Sequence, residues 1–152
     1  MDLEEMEALC QELGEPKFRA GQLFDWIHQK GAATFEEMTN LSKALRQKLA
    51  QRCTLTTLTI VRRLESKLDE TVKYLYRLPD GESVETVLMK YEYGYSLCVS
   101  CQVGCKMGCA FCASTKAGFV RNLTPGEMLE QVYRTQADRG VKVGHLVLMG
   151  IG

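Results

Sequence analysis

The 152-residue sequence predicts an α/β protein in three parts. A helical N-terminal accessory region comes first (1–53). A small antiparallel β extension follows (54–94), and then the first strand, loop, helix and second strand of a βαβ architecture (95–152). Three observations carry this. Apolar residues recur at helical spacing through the first fifty-odd positions. From about Thr54 the period falls to two, in segments rich in Val, Thr, Ile and Tyr. After a strand near 95–100, the cysteine-rich stretch CVSCQVGCKMGCAFC leads to a capped helix and the apolar run HLVLM (145–149), which reads as a strand buried on both faces.

Each element has a local reason. Asp2 and Glu5 make an N-cap for a helix whose stripe is Leu3, Met6, Leu9, Cys10 and Leu13. Gly14 and Pro16 break it. A second helix over about 17–30 puts Ala20, Leu23, Phe24 and Ile27 on one face, and Gly31 stops it. TFEE (34–37) has the pattern of a capping box, and Leu41, Leu45 and Leu49 mark another helix. Leu68-Asp69-Glu70 and Pro79-Asp80-Gly81 supply turns between strands. TPGE (124–127) opens a helix with Thr as cap, Pro in the first turn and Glu closing the box. Met128, Leu129, Val132 and Tyr133 are its expected buried face, and Gly140 its end.

Bulk composition narrows the class. Nineteen basic and nineteen acidic residues cancel, so net charge gives no argument for a nucleic-acid partner, though it does not exclude a local basic face. No apolar run reaches the roughly 20 residues that span a bilayer, and the acidic N-terminus is unlike a signal segment. The expected place of work is the cytoplasm, with no membrane, where clustered cysteines bind metal or do redox chemistry more often than they form bridges.

Five of the seven cysteines fall between Cys98 and Cys112. Cys105, Cys109 and Cys112 are spaced C-x3-C-x2-C. Three thiolates in one loop can hold three irons of a [4Fe–4S] cube and leave the fourth iron open to a substrate. Zinc is the rival, because Cys98-x2-Cys101 adds a second pair that completes a four-thiolate site. Zinc sites usually separate their two pairs by a longer spacer, whereas these thiols crowd one loop.

The C-x3-C-x2-C spacing after a strand, Phe111 before the last cysteine, and MGIG (149–152) at the next strand's end resemble the radical S-adenosylmethionine superfamily. The resemblance implies a partial (β/α) barrel of radical SAM type, with Gly150 and Gly152 near the amino group of a bound S-adenosyl-L-methionine. The flanks narrow it further. ESVETV (82–87), the loop through TPGEM, HLVLMGIG, GEPKFRAGQLFDWIHQKG (14–31) and FEEMTNLSKALRQKL (35–49) resemble the RlmN-type ribosomal and transfer RNA adenine-C2 methyltransferases. The resemblance runs through essentially the whole chain.

The resemblance implies a dual-specificity enzyme acting on 23S rRNA at the peptidyl-transferase centre and on the tRNA anticodon loop. It works through a methylated cysteine, a protein–RNA adduct and a transient disulfide. Cys105, Cys109 and Cys112 match the cluster ligands, Cys98 the resolving thiol and Glu85 the proton acceptor. It further implies a low-potential electron donor such as flavodoxin, a monomeric state, and RNA contact in the N-terminal region. Lys17, Arg19, Lys30, Lys43, Arg46, Lys48 and Arg52 make that region moderately basic.

Two departures stand out. Cys101 occupies a position where the family is expected to carry Ser or Thr, and is read as a small buried residue. The methyl-carrying cysteine is not found, since Cys10 and Cys53 belong to the helical region; the chain by itself is therefore expected not to turn over. His28 and His145 are read as packing or surface residues, and Trp26 with most methionines as core. Arg121 and Asn122 are candidates for contact with cofactor or RNA. The competing functions are a C8-directed methyltransferase of the antibiotic-resistance type, a non-enzymatic zinc-stabilised RNA-binding module, and a simple redox protein.

Overall fold

The computed structural model describes residues 1–55 and 57–148. The chain divides into two units, Met1–Thr56 and Thr57–Gly152.

The first unit is helical. α1 (Leu3–Glu12) begins with the expected capping box: Asp2 accepts the Glu5 N–H at 2.8 Å, and Glu5 accepts the Asp2 N–H at 2.9 Å. α2 (Phe18–Phe24) continues into a π-helical turn, Asp25–Gln29, where the Lys30 N–H reaches back five residues to the Asp25 carbonyl. The expected helix over 17–30 is therefore present but widens in its last turn. α3 (Lys43–Arg52) is capped by Ser42. Met6, Cys10, Leu23, Met38, Leu45 and Leu49 form the centre of this unit's core.

TFEE departs from expectation. The Thr34 hydroxyl donates to the Glu37 carboxylate rather than capping a backbone N–H, and only a 3₁₀ turn, Phe35–Glu37, follows. Its C-terminal residue Met38 donates back to the Phe35 carbonyl. So short a turn offers no run of open N–H groups for a capping box to satisfy. Trp26 is half-buried rather than core, and Met107 is exposed.

The second unit is built on one sheet. β1 (Thr59–Glu65), β2 (Val72–Arg77), β3 (Ser83–Tyr91) and β4 (Gly94–Val99) form the expected antiparallel meander. β5 (Gln102–Gly104) and β6 (Phe119–Asn122) make a separate two-stranded ribbon that had no sequence signal. α4 (Pro125–Arg139) then returns the chain to β7 (Val143–Leu148), which lies parallel to β4. The main sheet runs β1-β2-β3-β4-β7. The β extension and the βαβ element thus share one continuous sheet, a mixed and mostly antiparallel α/β arrangement.

α4 covers one face of this sheet, and it does so with polar side chains. The expected apolar face is only partly right: Met128 and Val132 pack on the core, but Leu129 is exposed and Tyr133 half-buried. Gln131 and Thr135 are fully buried instead. Thr135 pairs with the Tyr76 hydroxyl at 2.8 Å, and Tyr74 donates to Asp138 at 2.8 Å. Burial pushes the Tyr76 phenol up to about 12. The capping box of Thr124 and Glu127 and the left-handed Gly140 bound the helix as expected.

β7 is a second correction. It was expected to be buried on both faces, yet Leu146 is 51% and Leu148 61% exposed. Among the described residues β7 pairs with β4 alone, so one edge and much of its surface have nothing packed on them.

Gly104 is the tightest backbone point. Its φ is +70°, and a Cβ there would sit 1.8 Å from the Gly118 carbonyl oxygen. Gly104→Ala is expected to cost about 3 kcal/mol or more, through clash and left-handed strain together. Gly140→Ala, with φ +64° but open space, should cost only about 1–2 kcal/mol. Urea unfolding of the two variants measures the difference; equal costs would mean that the ribbon simply moves apart.

Candidate cofactor and thiol site

The cysteine loop is held at its base and open between. β4 ends at Val99. Beyond it, the Leu123 N–H donates to the Cys101 carbonyl at 2.8 Å, and the Cys105 N–H to the Gly118 carbonyl at 2.9 Å. The ladder of β5 with β6 lies between these two bonds. The loop from 105 to 118 leaves from this ribbon, turning at Gly108, whose φ is +72°.

Cys105 is buried at the loop's root, while Cys109 and Cys112 are half-buried. The Cys112 N–H donates to the Cys109 carbonyl at 3.1 Å, which folds the second pair into a tight turn. The Cys112 thiol is held below its usual range by the Ser114 N–H, then by the Ser114 hydroxyl and the Thr115 N–H. Such a cradle favours the thiolate that a metal needs. Phe111 is 94% exposed. Among the described residues, no three His, Cys, Asp or Glu side chains gather into a group able to hold a metal. Three thiols in one loop are the donor chemistry of an iron–sulfur cluster, but their three sulfurs would have to draw together to hold one.

Glu85 and Cys98 are brought together by the sheet. Paired residues on neighbouring strands share a face, and Val87 pairs with Cys98 while Leu75 pairs with Glu85. Val84, Thr86 and Leu88 are buried toward α4, so Glu85, Val87 and Cys98 project from the opposite face. Glu85 and Cys98 are diagonal neighbours, a relation that sets such residues roughly 7–8 Å apart. Sequence reasoning missed Lys73, whose Nζ lies 2.6 Å from a Glu85 carboxylate oxygen across β2 and β3. The alternation of VKYLYR and SVETV carried that signal, because it puts both residues on the outward parity.

Other candidates resolve differently. Cys101 is half-buried rather than buried. Gly150 and Gly152 lie outside the described residues. Arg121 is engaged within the protein: its guanidinium bonds the Glu127 carboxylate at 2.8 and 2.9 Å and Asp80 at 2.6 and 2.8 Å. This ties β6 to the β2–β3 turn and to the first turn of α4. In the helical unit, Lys17, Lys48 and Arg52 pair with Glu7, Glu15 and Glu12, which reduces the free positive charge expected there.

Arg121 holds the Glu127 carboxyl below its ordinary value of 4.5. A depressed folded value means that the stability from this pair is complete above about that pH and is lost as pH falls through the folded value. Arg121→Met should therefore cost about 1–2 kcal/mol near neutral pH, allowing for solvent access to the guanidinium. The gap to wild type should narrow in acid. Urea titrations from about pH 7 to about pH 3 test this; a gap independent of pH would assign the loss to packing.

The family model described as "Ribosomal RNA large subunit methyltransferase N-terminal domain", RlmN_N, matches residues 1–55. Curated relatives named "Probable dual-specificity RNA methyltransferase RlmN" match the rest as well. The protein of Lachnoclostridium phytofermentans is 53% identical over 152 residues, and that of Lachnospira eligens 55% over 152 residues. Each match covers 100% of this chain and 43% of the relative, so the chain spans less than half the length of these proteins. The crystal structure of a radical SAM methyltransferase from Sphaerobacter thermophilus superposes with a TM-score of 0.91 at 44% identity. That match covers 100% of this chain and 46% of the other. Residues 1–55 thus match the RlmN N-terminal domain model, and the chain is similar to RlmN-type proteins along its whole length.

Proposed function

We propose that this chain forms part of a radical S-adenosylmethionine RNA methyltransferase that methylates C2 of adenine in 23S rRNA and in the tRNA anticodon loop. The observation that carries this reading is the placement of Glu85 and Cys98 as diagonal neighbours on the sheet face opposite α4. The C-x3-C-x2-C loop leaves just beyond the end of β4, the strand that bears Cys98. Similarity to proteins named as dual-specificity RNA methyltransferases supports the substrate class.

Cys105, Cys109 and Cys112 would hold a [4Fe–4S] cluster, which would supply the electron for cleaving S-adenosylmethionine and a site for its methionyl end. Gly150 and Gly152 are assigned to the amino group of that methionyl end. An ordinary nucleophilic attack on a sulfonium methyl is not available to the electrophilic C2 of adenine, which is why radical chemistry is required. Glu85 is assigned to take the proton from C2 of the base joined to the protein through a methylene thioether, the odd electron of that adduct leaving by the one-electron donor system that supplied it. Lys73 restrains the rotamer of that carboxylate.

Cys98, deprotonated, then attacks the thioether sulfur. A sulfur–sulfur bond forms and the carbon–sulfur bond breaks. The electron pair of the broken bond passes to the methylene carbon, which takes a proton to become the methyl group. The target adenine has to be unstacked to reach this face.

In this reading, residues 95–152 begin a partial (β/α) barrel, beside a 1–53 accessory domain and a 54–94 extension. Among the described residues no helix is long and apolar enough to cross a membrane. We place the reaction in the cytoplasm, with a low-potential donor such as a flavodoxin.

Anaerobic reconstitution with iron and sulfide, followed by EPR of the reduced protein with and without S-adenosylmethionine, tests the proposal. A [4Fe–4S]⁺ signal that shifts with the cofactor is expected. It should disappear when Cys105, Cys109 or Cys112 is changed to Ala and persist in Cys98→Ala. Stoichiometric zinc on the same thiols, with no cluster under any loading condition, would establish the zinc-stabilised RNA-binding module instead.

A further inference from the structure

Gln131 is 0% exposed in the middle of α4, and its amide has two acceptor and two donor positions to satisfy. All four are used. Its Oε1 accepts from the Thr86 hydroxyl at 2.7 Å and from the Ser100 N–H at 3.0 Å. Its Nε2 donates to the Ser100 carbonyl at 2.9 Å and to the Glu127 carbonyl at 3.4 Å. Because Ser100 presents one donor and one acceptor, the amide fits in one orientation only. It does for Ser100 what a neighbouring strand would do, pairing both of its backbone groups just where the β4 ladder ends.

Ser100 is two residues beyond Cys98 and one before Cys101. Its hydroxyl donates to the Glu85 carbonyl at 2.6 Å. One buried side chain therefore connects the backbone that carries Cys98, the backbone that carries Glu85, and the root of the cysteine loop. A hydrocarbon of similar length would fill the same space without the desolvation cost of an amide. What it would lack is the directional hold on Ser100.

We propose that Gln131 is a positioning residue for the Glu85 and Cys98 pair. It sets the approach of the Cys98 sulfur by pinning the Ser100 peptide. This rests on the function proposed above, and its effect falls on resolution of the protein–RNA adduct rather than on cluster binding.

The test compares wild type, Gln131→Met and Thr86→Val in the full-length, cluster-loaded protein. Thr86→Val removes one hydrogen bond at nearly constant volume and keeps the test usable if Gln131→Met folds poorly. In a single turnover with substrate RNA, the variants should keep the iron content and the cofactor-dependent EPR shift. The lifetime of the adduct should lengthen about tenfold or more in Gln131→Met and by a smaller factor in Thr86→Val. Independently of turnover, alkylation of Cys98 by iodoacetamide, read by peptide mass spectrometry, should change about threefold or more while that of Cys53 does not.

Adduct resolution and Cys98 alkylation at wild-type rates in cluster-loaded variants would overturn the role of Gln131. So would a loss of methylation that merely follows lost cluster. A wild-type protein that loads cluster and cofactor yet forms no adduct would overturn the proposed function, and the role of Gln131 with it.

Discussion

Polar groups buried between α4 and the sheet constrain the rest of the second unit. A helix that buries only hydrocarbon can slide or rotate on a sheet at modest cost, because dispersion contacts have little direction. α4 cannot. Gln131, Thr135 and Asp138 face Thr86, Tyr76 and Tyr74 across the interface, and each hydrogen bond is made in one register only. A shift of one residue would leave several desolvated groups unpaired, at roughly 1–3 kcal/mol each. The seam therefore fixes where α4 starts, and with it the direction in which the chain returns to β7 alongside β4. Arg121 extends the same constraint by tying the first turn of α4, through Glu127, to the β2–β3 turn, through Asp80.

Most features that depend on neighbours in sequence were legible before the structure, the TFEE box being the exception. The capping boxes of α1 and α4, the glycine stops and the turns at Asp69 and Asp80 are local arrangements, and local residues decide them. Features that depend on distant partners were not. α4 reads by apolar count as burying Leu129 and Tyr133, but its inward face is chosen by hydrogen bonds to strands some 45 to 64 positions earlier. The composition of HLVLM reads as a fully covered strand; cover is a property of surrounding elements, which composition does not contain. The β5–β6 ribbon escaped notice because strands of three and four residues carry too little periodicity to register.

The site divides along the same line. The proposed ligand set of Cys105, Cys109 and Cys112 rests on a spacing within one short loop, read together with the strand before it, Phe111 and MGIG, all of which are local in sequence. That Glu85 and Cys98 are neighbours is a statement about the register of β3 on β4, and register is set by the whole meander. Lys73 enters by the same route, one strand further out. Its ion pair with Glu85 is half exposed, so its contribution to stability is small; its consequence is the orientation of one carboxylate. The roles assigned to Glu85 and Cys98 thus draw on residue identity from the sequence and on adjacency from the fold.

The cysteine loop is held at its root by backbone bonds, and along its length by the Cys109–Cys112 turn and the 3₁₀ turn Ala113–Ala117. Backbone bonds from Cys105 to Gly118 and from Leu123 to Cys101, with Gly104 pressed against Gly118, leave no slack at the base. Fixing both ends of a short loop meets most of the closure entropy in advance, since that entropy grows only slowly with the residues left free. If the proposed cluster binds there, metal–thiolate bonds are strong enough to draw Cys109 and Cys112 toward Cys105 as they form. A loop closed entirely by protein contacts would have to reach the cluster's geometry without the cluster, crowding three thiolates of like charge.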